Sequence, residues 1–471
     1  MYHDSIRLTD TLTGHTDLSH TALRIFVETI ESLSGGKFVI PAQSTLLGRA
    51  ELAPLFELKR TLENKGMLKD TRPILSLPDE PRLYGWSTQF APTESAGGFS
   101  IRNECAALAA ALAEGVERGT WYFERDFFRK EVYATSLELK KPYLTPTRFA
   151  GFSNVQRTQN TPITFSPENT LLWITGYSWI QSAEIFVPAQ IVSRAHAATA
   201  ARNKSEPRIR PSVTTGLATA PTRTEALARG VLEVIERDAY MISWLNQLTL
   251  PRIDMNELMV DNPSLAALVD SCVRYNLRVD FVRLLTDAPA YVLCAMISDG
   301  AHMPALSIGL SAHAKASHAA EKALLEALQI RQSTRSLMKK KLDINPLKPT
   351  QSERAMYWAT SEHLREVAFW IDAPKVKLTR EAWENDTPAE HFARIRTWCV
   401  NRAYELVSVS LTHSKRNSTP WYIEFVIIPE LQPMHLDERW PCVGGDRLLS
   451  VPRLLGYTPR RETFSIPHPF V

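Results

Sequence analysis

The strongest constraint in this sequence is a segment that occurs twice in related form: two acids three residues apart, the second followed by Arg. The first copy is Leu112-Ala113-Glu114-Gly115-Val116-Glu117-Arg118. The second is Leu232-Glu233-Val234-Ile235-Glu236-Arg237, running on into Asp238. Glu114 and Glu233 lie 119 residues apart (233 − 114), which points to a duplicated unit. An aromatic follows the Arg three residues later in both copies, Trp121 and Tyr240. Each copy sits in a stretch that reads as helix, and a three-residue step places both carboxylates on one helix face. Crowded carboxylates oppose one another's ionisation unless a cation lies between them. Two such pairs suit hard metal ions, and Mg2+ in turn holds phosphates.

A chain of 471 residues allows two or three domains, or one large elaborated one. The share of apolar residues, 44%, is that of a soluble globular protein with a substantial core. The net charge of +3 is small for this size, so charge does not direct the chain to nucleic acid or to a membrane. No apolar run reaches membrane-spanning length, and Met1-Tyr2-His3-Asp4-Ser5 lacks the layout of a signal peptide. Cys105, Cys272, Cys294, Cys399 and Cys442 are odd in number and scattered, as reduced core residues of a cytoplasmic protein would be. The sequence has no P-loop, no Gly-x-Gly-x-x-Gly after a strand, no His-Glu-x-x-His and no Cys-x-x-Cys. Any phosphate chemistry must therefore rest on something other than a P-loop.

Periodicity gives an α+β layout. Residues 1–75 read as a mostly helical N-terminal segment, with helices at Thr21–Leu33 and Glu51–Asn64 separated by Gly35-Gly36. Pro73, Pro78 and Pro81 mark a boundary, and 76–471 reads as the main domain. Its expected strands are Arg82–Phe90, Leu171–Tyr177, Ala183–Val187, Arg278–Leu285, Tyr291–Ser298, Ala305–Ser311, Val407–Leu411 and Tyr422–Ile428. Gly97-Gly98 reads as a turn, and Arg202–Pro211 as a basic loop. Long helices are expected at about Asn103–Phe123, Thr222–Leu245 and Ser317–Gln332. Strands that often follow one another directly favour α+β over strict βαβ winding. The Pro-containing end, Ile466-Pro467-His468-Pro469-Phe470-Val471, must lie extended.

On a helical wheel with Glu225 at zero, Arg229, Glu233 and Glu236 fall within roughly 80° of it, opposite Leu227, Val231 and Val234. The bland account is a solvated face. Glu225 has a second one, since Thr222-Arg223-Thr224-Glu225 matches a capping box. The third helix sets Lys322, Glu326 and Gln329 on one face, where Lys322 and Glu326 have the spacing of a surface pair. Arg331 lies off that face.

In order, these segments resemble the YcaO family, in its azoline-forming cyclodehydratase branch. Gly97-Gly98-Phe99-Ser100 precedes the first acidic helix, and Thr214-Thr215-Gly216-Leu217-Ala218 precedes Glu225. Then come Glu233 to Leu245, with Glu236-Arg237-Asp238-Ala239-Tyr240-Met241-Ile242-Ser243-Trp244, and Ala323 to Arg331. Ile428-Pro429-Glu430-Leu431-Gln432-Pro433-Met434-His435 and the Pro-x-Pro tail complete the set. The resemblance covers about Tyr84 to Val471. It implies the YcaO-type fold, with pseudo-repeated acidic helices around an ATP site that has no P-loop. It implies Glu114 with Glu117, and Glu233 with Glu236, as metal-binding pairs for Mg2+. Glu225, Arg237, Gln329, Arg331 and Glu326 would contact nucleotide, and Val471 and Arg237 would serve catalysis. The chain departs from many relatives at Ala96-Gly97-Gly98, Thr215 and Pro221, and its tail is shorter than Pro-x-Pro-x-Pro.

The activity so implied is ATP-dependent phosphorylation of a peptide amide oxygen after attack by a neighbouring Cys, Ser or Thr. Loss of phosphate then leaves a thiazoline or oxazoline, as in the biosynthesis of thiazole/oxazole-modified microcins and related bacteriocins. Mg2+ and Arg meet the charge demand of such a transfer. The implied partners are a ribosomally made precursor peptide, an E1-like leader-binding protein in trans and a flavin-dependent dehydrogenase. A homodimer within a hetero-complex is compatible with the resemblance. The basic stretches Arg202–Arg210 and Lys339-Lys340-Lys341 are solvated loops or contacts to an acidic peptide. Thioamide or amidine formation by the same fold is an alternative, as is a non-catalytic docking subunit.

Overall fold

The computed structural model describes residues 43–92, 94–123, 131–159, 165–300, 302–339, 351–412 and 421–470. The expected helix at Thr21–Leu33, its Gly35-Gly36 break, Lys340, Lys341 and Val471 lie outside them. The fold is α+β, in two compact units: Met1–Ser76 with Leu83–Val116, and Leu77–Arg82 with Glu117–Val471. The sequence placed a single boundary at 75/76, whereas the chain passes between the units three times. Charge explains why the short stretch Leu77–Arg82 goes with the larger unit. Glu80 binds Arg331 and Arg335, and Asp79 binds Arg335.

In the smaller unit the helix Gln43–Asn64 precedes an antiparallel sheet of order β1-β2-β3, with β1 at Thr71–Ile74, β2 at Tyr84–Ala91 and β3 at Glu94–Ser100. Gly97-Gly98, expected as a turn, lies inside β3. A Cβ on Gly98 would fall 2.2 Å from the Ala107 carbonyl oxygen and from the Ala111 nitrogen. The glycine is there so that the next helix, Glu104–Phe123, can lie directly on the strand. Asn103 starts that helix by accepting from the Ala106 N–H at 2.8 Å.

The larger unit holds the remaining strands: β4 (Glu131–Ala134), β5 (Leu171–Ser178), β6 (Ala183–Pro188), β7 (Leu217–Ala220), β8 (Arg252–Ile253), β9 (Arg278–Arg283), β10 (Tyr291–Ser298), β11 (Leu306–His313), β12 (Lys375–Val376), β13 (Val407–Ser410) and β14 (Tyr422–Ile427). One sheet runs β4-β5-β13-β14-β7, with β6 on β5, and the other runs β11-β10-β9-β8-β12. Pairing is antiparallel except between β12 and β8. β10 and β11 pair along their whole length, from Tyr291 opposite His313 to Ser298 opposite Leu306. Seven of the eight β10 residues are buried, so the strand is covered on both faces and reads as a continuous apolar run.

Two long helices bring the acidic residues to these sheets. The central helix is Arg223–Leu245, and Thr222 caps it by accepting from the Glu225 N–H. From Asp238 to Leu245 every residue is buried, so its second half is enclosed on all sides. Tyr240 and Trp244 anchor an aromatic cluster with Trp358, Trp370 and Phe464. The flanking helix, Ala316–Met338, lies on β11, where Gly309 permits the same close approach that Gly98 does on β3.

Two helices absent from the sequence reading are Pro263–Arg274 and Pro388–Asn401. Both begin with a cap residue followed by Pro, Asn262-Pro263 and Thr387-Pro388, which is a start signal. A further helix, Arg194–Asn203, takes the first two residues of the expected basic loop. Among the described residues no helix is long and apolar enough to cross a membrane.

Candidate functional site

The central helix, β11 and the flanking helix bring Glu233, Glu236 and Glu326 together, and each carboxylate is held by a backbone amide. Gly216 N–H donates to Glu233 (3.0 Å), Ala312 N–H to Glu236 (3.0 Å) and Leu310 N–H to Glu326 (2.6 Å). Gly216 fits here for two reasons. Its φ is +92°, and a Cβ would fall 2.0 Å from the Val426 carbonyl oxygen. Glu236 is 8% exposed, and its carboxyl is pushed up to about 8. Burial is the main cause and Arg237 pulls the other way, while Glu326 and Glu233 push it further up. An acid whose ionisation is opposed by burial and by two neighbouring acids forms a site suited to a cation.

Arg237 is the cation the protein itself supplies. Its guanidinium lies 3.4 Å from Glu233 and 3.3 Å from Glu236, and it donates to Met434 Sδ at 3.5 Å. Its other face rests on the Phe470 ring, 4.4 Å from the centroid. Phe470 is in place because the tail is bound residue by residue. Trp244 and Trp358 donate to the carbonyls of Ile466 and Pro467, and His468 Nε2 meets the His435 carbonyl. Phe470 N–H donates to the Tyr240 hydroxyl, and buried Arg354 donates to the Phe470 carbonyl. The tail is therefore docked as far as Phe470. Val471, expected to serve catalysis, lies outside the described residues.

The other candidates divide by what they touch. Thr222 caps the central helix, but the reciprocal Glu225 bond of a capping box is absent. The Glu225 carboxylate and the Gln329 amide have no hydrogen-bond partner among the described residues, so both remain open to a ligand. Lys322 does not form the surface pair with Glu326. The residue keeps an exposed surface, yet its ammonium is held below the usual lysine value, first by loss of surrounding water and then by Arg229, while Glu236 acts to raise it. Arg331, proposed from the sequence as a nucleotide contact, is buried at 2% exposure and bonded to Glu80, Asp299 and the Pro304 carbonyl. It points off the Glu326 face because it ties the flanking helix to neighbouring loops. Asp238, which follows Arg237, is likewise structural: fully buried, it takes two bonds from Arg447 and one from the Gln432 N–H.

Glu114 and Glu117 are half-buried, one turn apart on the helix Glu104–Phe123. The division into units falls between them, leaving Glu114 in the smaller unit and Glu117 in the larger. What the sequence could not reveal is the set of backbone donors, Gly216, Leu310 and Ala312, and the tail cradle of Tyr240, Trp244, Arg354 and Trp358. Gly216 carried the one available signal, a glycine sixteen to seventeen residues ahead of an acidic helix position. Gly98 and Gly309 repeat that spacing before Glu114 and Glu326.

The donor set has the chemistry Mg2+ takes: it is all oxygen, and Glu236 in it is costly to ionise without a cation. Glu233, Glu236 and Glu326 would hold the ion, and Glu225 and Gln329 are open to a nucleotide. Residues 101–432 match a family model described as "YcaO cyclodehydratase, ATP-ad Mg2+-binding". No curated protein matches the chain. Among solved structures, a heterocyclase in complex with substrate and cofactor superposes with a TM-score of 0.69 at 17% identity, covering 88% of this chain and 57% of its own. This chain thus spans little more than half the length of that relative. A YcaO from Methanopyrus kandleri bound with AMPPCP and Mg2+ gives 0.57 at 18% identity, covering 83% of this chain and 93% of its own. The E. coli microcin synthetase McbBCD with pro-MccB17 bound gives 0.56 at 13%, covering 76% of this chain and 87% of its own. At such identities the likeness is one of fold. The family model spans well over half of the sequence, and the chain belongs to the YcaO family, whose members bind ATP and Mg2+.

Proposed function

We propose that the chain is an ATP-dependent peptide cyclodehydratase, forming thiazoline or oxazoline rings from Cys, Ser or Thr of a ribosomally made precursor. The observation that carries this reading is the convergence of Glu233, Glu236 and Glu326 beside Arg237, each acid fixed by a backbone N–H. Bound Mg2+ and ATP supply the phosphoryl group that turns an amide oxygen into a leaving group. The chain's own part is to hold and orient. Glu233, Glu236 and Glu326 are set to grip a hard cation without reorganising, since their backbone donors already aim them. Arg237, braced by Phe470, places positive charge where phosphate charge must be neutralised. Glu225 and Gln329 present unengaged polar groups to the nucleotide, and Glu114 with Glu117 is a second candidate Mg2+ pair. Arg331 serves this reading only indirectly, by fixing the helix that carries Glu326 and Gln329.

The heterocyclase and microcin synthetase among the fold relatives are complexes with substrate or with pro-MccB17, which supports a peptide substrate here. An E1-like leader-binding protein acting in trans, and a flavin-dependent dehydrogenase acting afterwards, complete the proposed system. The test is Glu233→Gln with Glu236→Gln, assayed by phosphate release from ATP and by peptide mass, with one water lost per ring. Removal of both charges should cut both signals by about 100-fold or more. Wild-type rates in the double variant would refute the site. A wild-type chain that releases no phosphate with peptide and partner present would be a docking subunit, which would end the catalytic reading.

A further inference from the structure

Among the described residues, the buried arginines of the larger unit are paired with acids. Arg331 meets Glu80 and Asp299, Arg354 meets Glu438, and Arg447 meets Asp238 and Asp287. Half-buried Arg210 differs from them. Among the described residues it has no carboxylate partner, and its Nε is sealed from solvent with no acceptor. Burial draws its guanidinium down to about 10. It lies over the Phe149 ring at 5.1 Å and lines a cavity of about 10 Å³ with Thr215, Val234 and Gln432. Two residues earlier, Arg208 lies over Trp440 at 5.3 Å, again with no ion pair among the described residues. Asp437, the acid within its influence, is already held by both carboxylate oxygens on Arg439.

The segment is fixed in advance. Ile209 is buried between the two arginines, and its N–H donates to Gln190 Oε1 at 3.0 Å. Glu206, the one acid in Arg202–Pro211, is turned inward onto the Leu172 N–H, Gln190 Nε2 and His196 Nε2. It cannot neutralise its neighbours. Half-buried guanidinium groups without counter-charges are costly, and each here is already stripped of water on its aromatic side.

We propose that Arg208 and Arg210 form a carboxylate-binding strip for an acidic stretch of extended peptide. Alternate residues of an extended chain stand about 6.6 Å apart. Two arginines flanking a buried residue thus match acids two positions apart on a peptide lying alongside. The cavity has room for about one oxygen-sized group, which suits a carboxylate oxygen. Guanidinium and carboxylate also match in planar, two-bonded geometry. The choice of a peptide as the carrier rests on the proposed peptide-modifying function.

The test uses the full chain and a fluorescein-labelled probe, acetyl-(Glu-Ala)3-amide, followed by anisotropy at low salt without ATP. Arg208→Gln with Arg210→Gln should weaken the probe at least about 10-fold, the loss of one to two charge-assisted hydrogen bonds. Arg208→Lys with Arg210→Lys, which keeps charge but not the planar fork, should fall in between. Arg202→Gln with Lys204→Gln, on the exposed part of the same stretch, should stay within about twofold. An equal loss in that control pair, no binding by wild type, or full displacement of the probe by inorganic phosphate would overturn the proposal. So would ATP affinity falling by the same factor, because the strip would then belong to the nucleotide. Probe binding needs no catalysis, so it can fail while ATP turnover persists, and the reverse.

Discussion

Glu236→Gln isolates the cost that the site carries when no cation is bound. Gln keeps the shape and an acceptor for the Ala312 N–H but cannot ionise. The Glu236 carboxyl rises from 4.5 to about 8 on folding, mainly through burial. Below 4.5 both folded and unfolded chains hold the proton, and stability does not depend on it. Between 4.5 and about 8 the unfolded chain is ionised while the folded chain keeps its proton. Stability therefore falls with each pH step, and above about 8 the loss stays constant. A shift of that size corresponds to roughly 5 kcal/mol as a ceiling. A realised part of about 2 kcal/mol would move the melting temperature of a 471-residue chain by about 2 °C. Cation-free wild type should therefore lose stability relative to Glu236→Gln as pH rises from 5 to 8, and the variant should melt higher at pH 8. Mg2+ with ATP should reverse the order, because only the carboxylate profits from the ion. Melting curves across pH, with and without Mg2+-ATP, decide it. A variant less stable than cation-free wild type at pH 8, or a gap independent of pH, would refute the argument.

Two further outcomes follow from contacts around the site. Asp238→Asn leaves buried Arg447 short of one carboxylate and should cost about 3–5 kcal/mol, read as a lowered urea midpoint. Tyr240→Phe leaves the buried Phe470 N–H without its acceptor, a loss of about 1–3 kcal/mol confined to the tail. Hydrogen exchange should quicken at Phe470 while β10 stays protected, and equal protection in variant and wild type would refute the docked tail.

Helices and strands with strong periodicity were legible in the sequence because burial imposes its pattern directly. Tyr291–Ser298 appears at the expected bounds, and the central helix begins one residue later than expected, after its Thr222 cap. Gly97-Gly98 misled, because glycine serves tight turns and close approaches equally, and only the helix lying on β3 tells which. The Pro263 and Pro388 helices were readable from their caps, although their apolar stripes are short. In the site, the spacing of Glu233 and Glu236 showed that they share a face. It could not show that Glu326, ninety residues on, lies within their electrostatic reach.

By itself the sequence determined the family, the α+β class and the paired acids, since these rest on order and local period along one chain. Tertiary structure alone decided which acids meet, which backbone amides hold them, and that Arg331 and Asp238 are spent on structure. It also decided that Phe470 braces Arg237. The physical reason is that ionic and hydrogen-bond energies depend on distance and burial. Both are fixed by how remote segments pack, and a linear pattern of residues does not contain them.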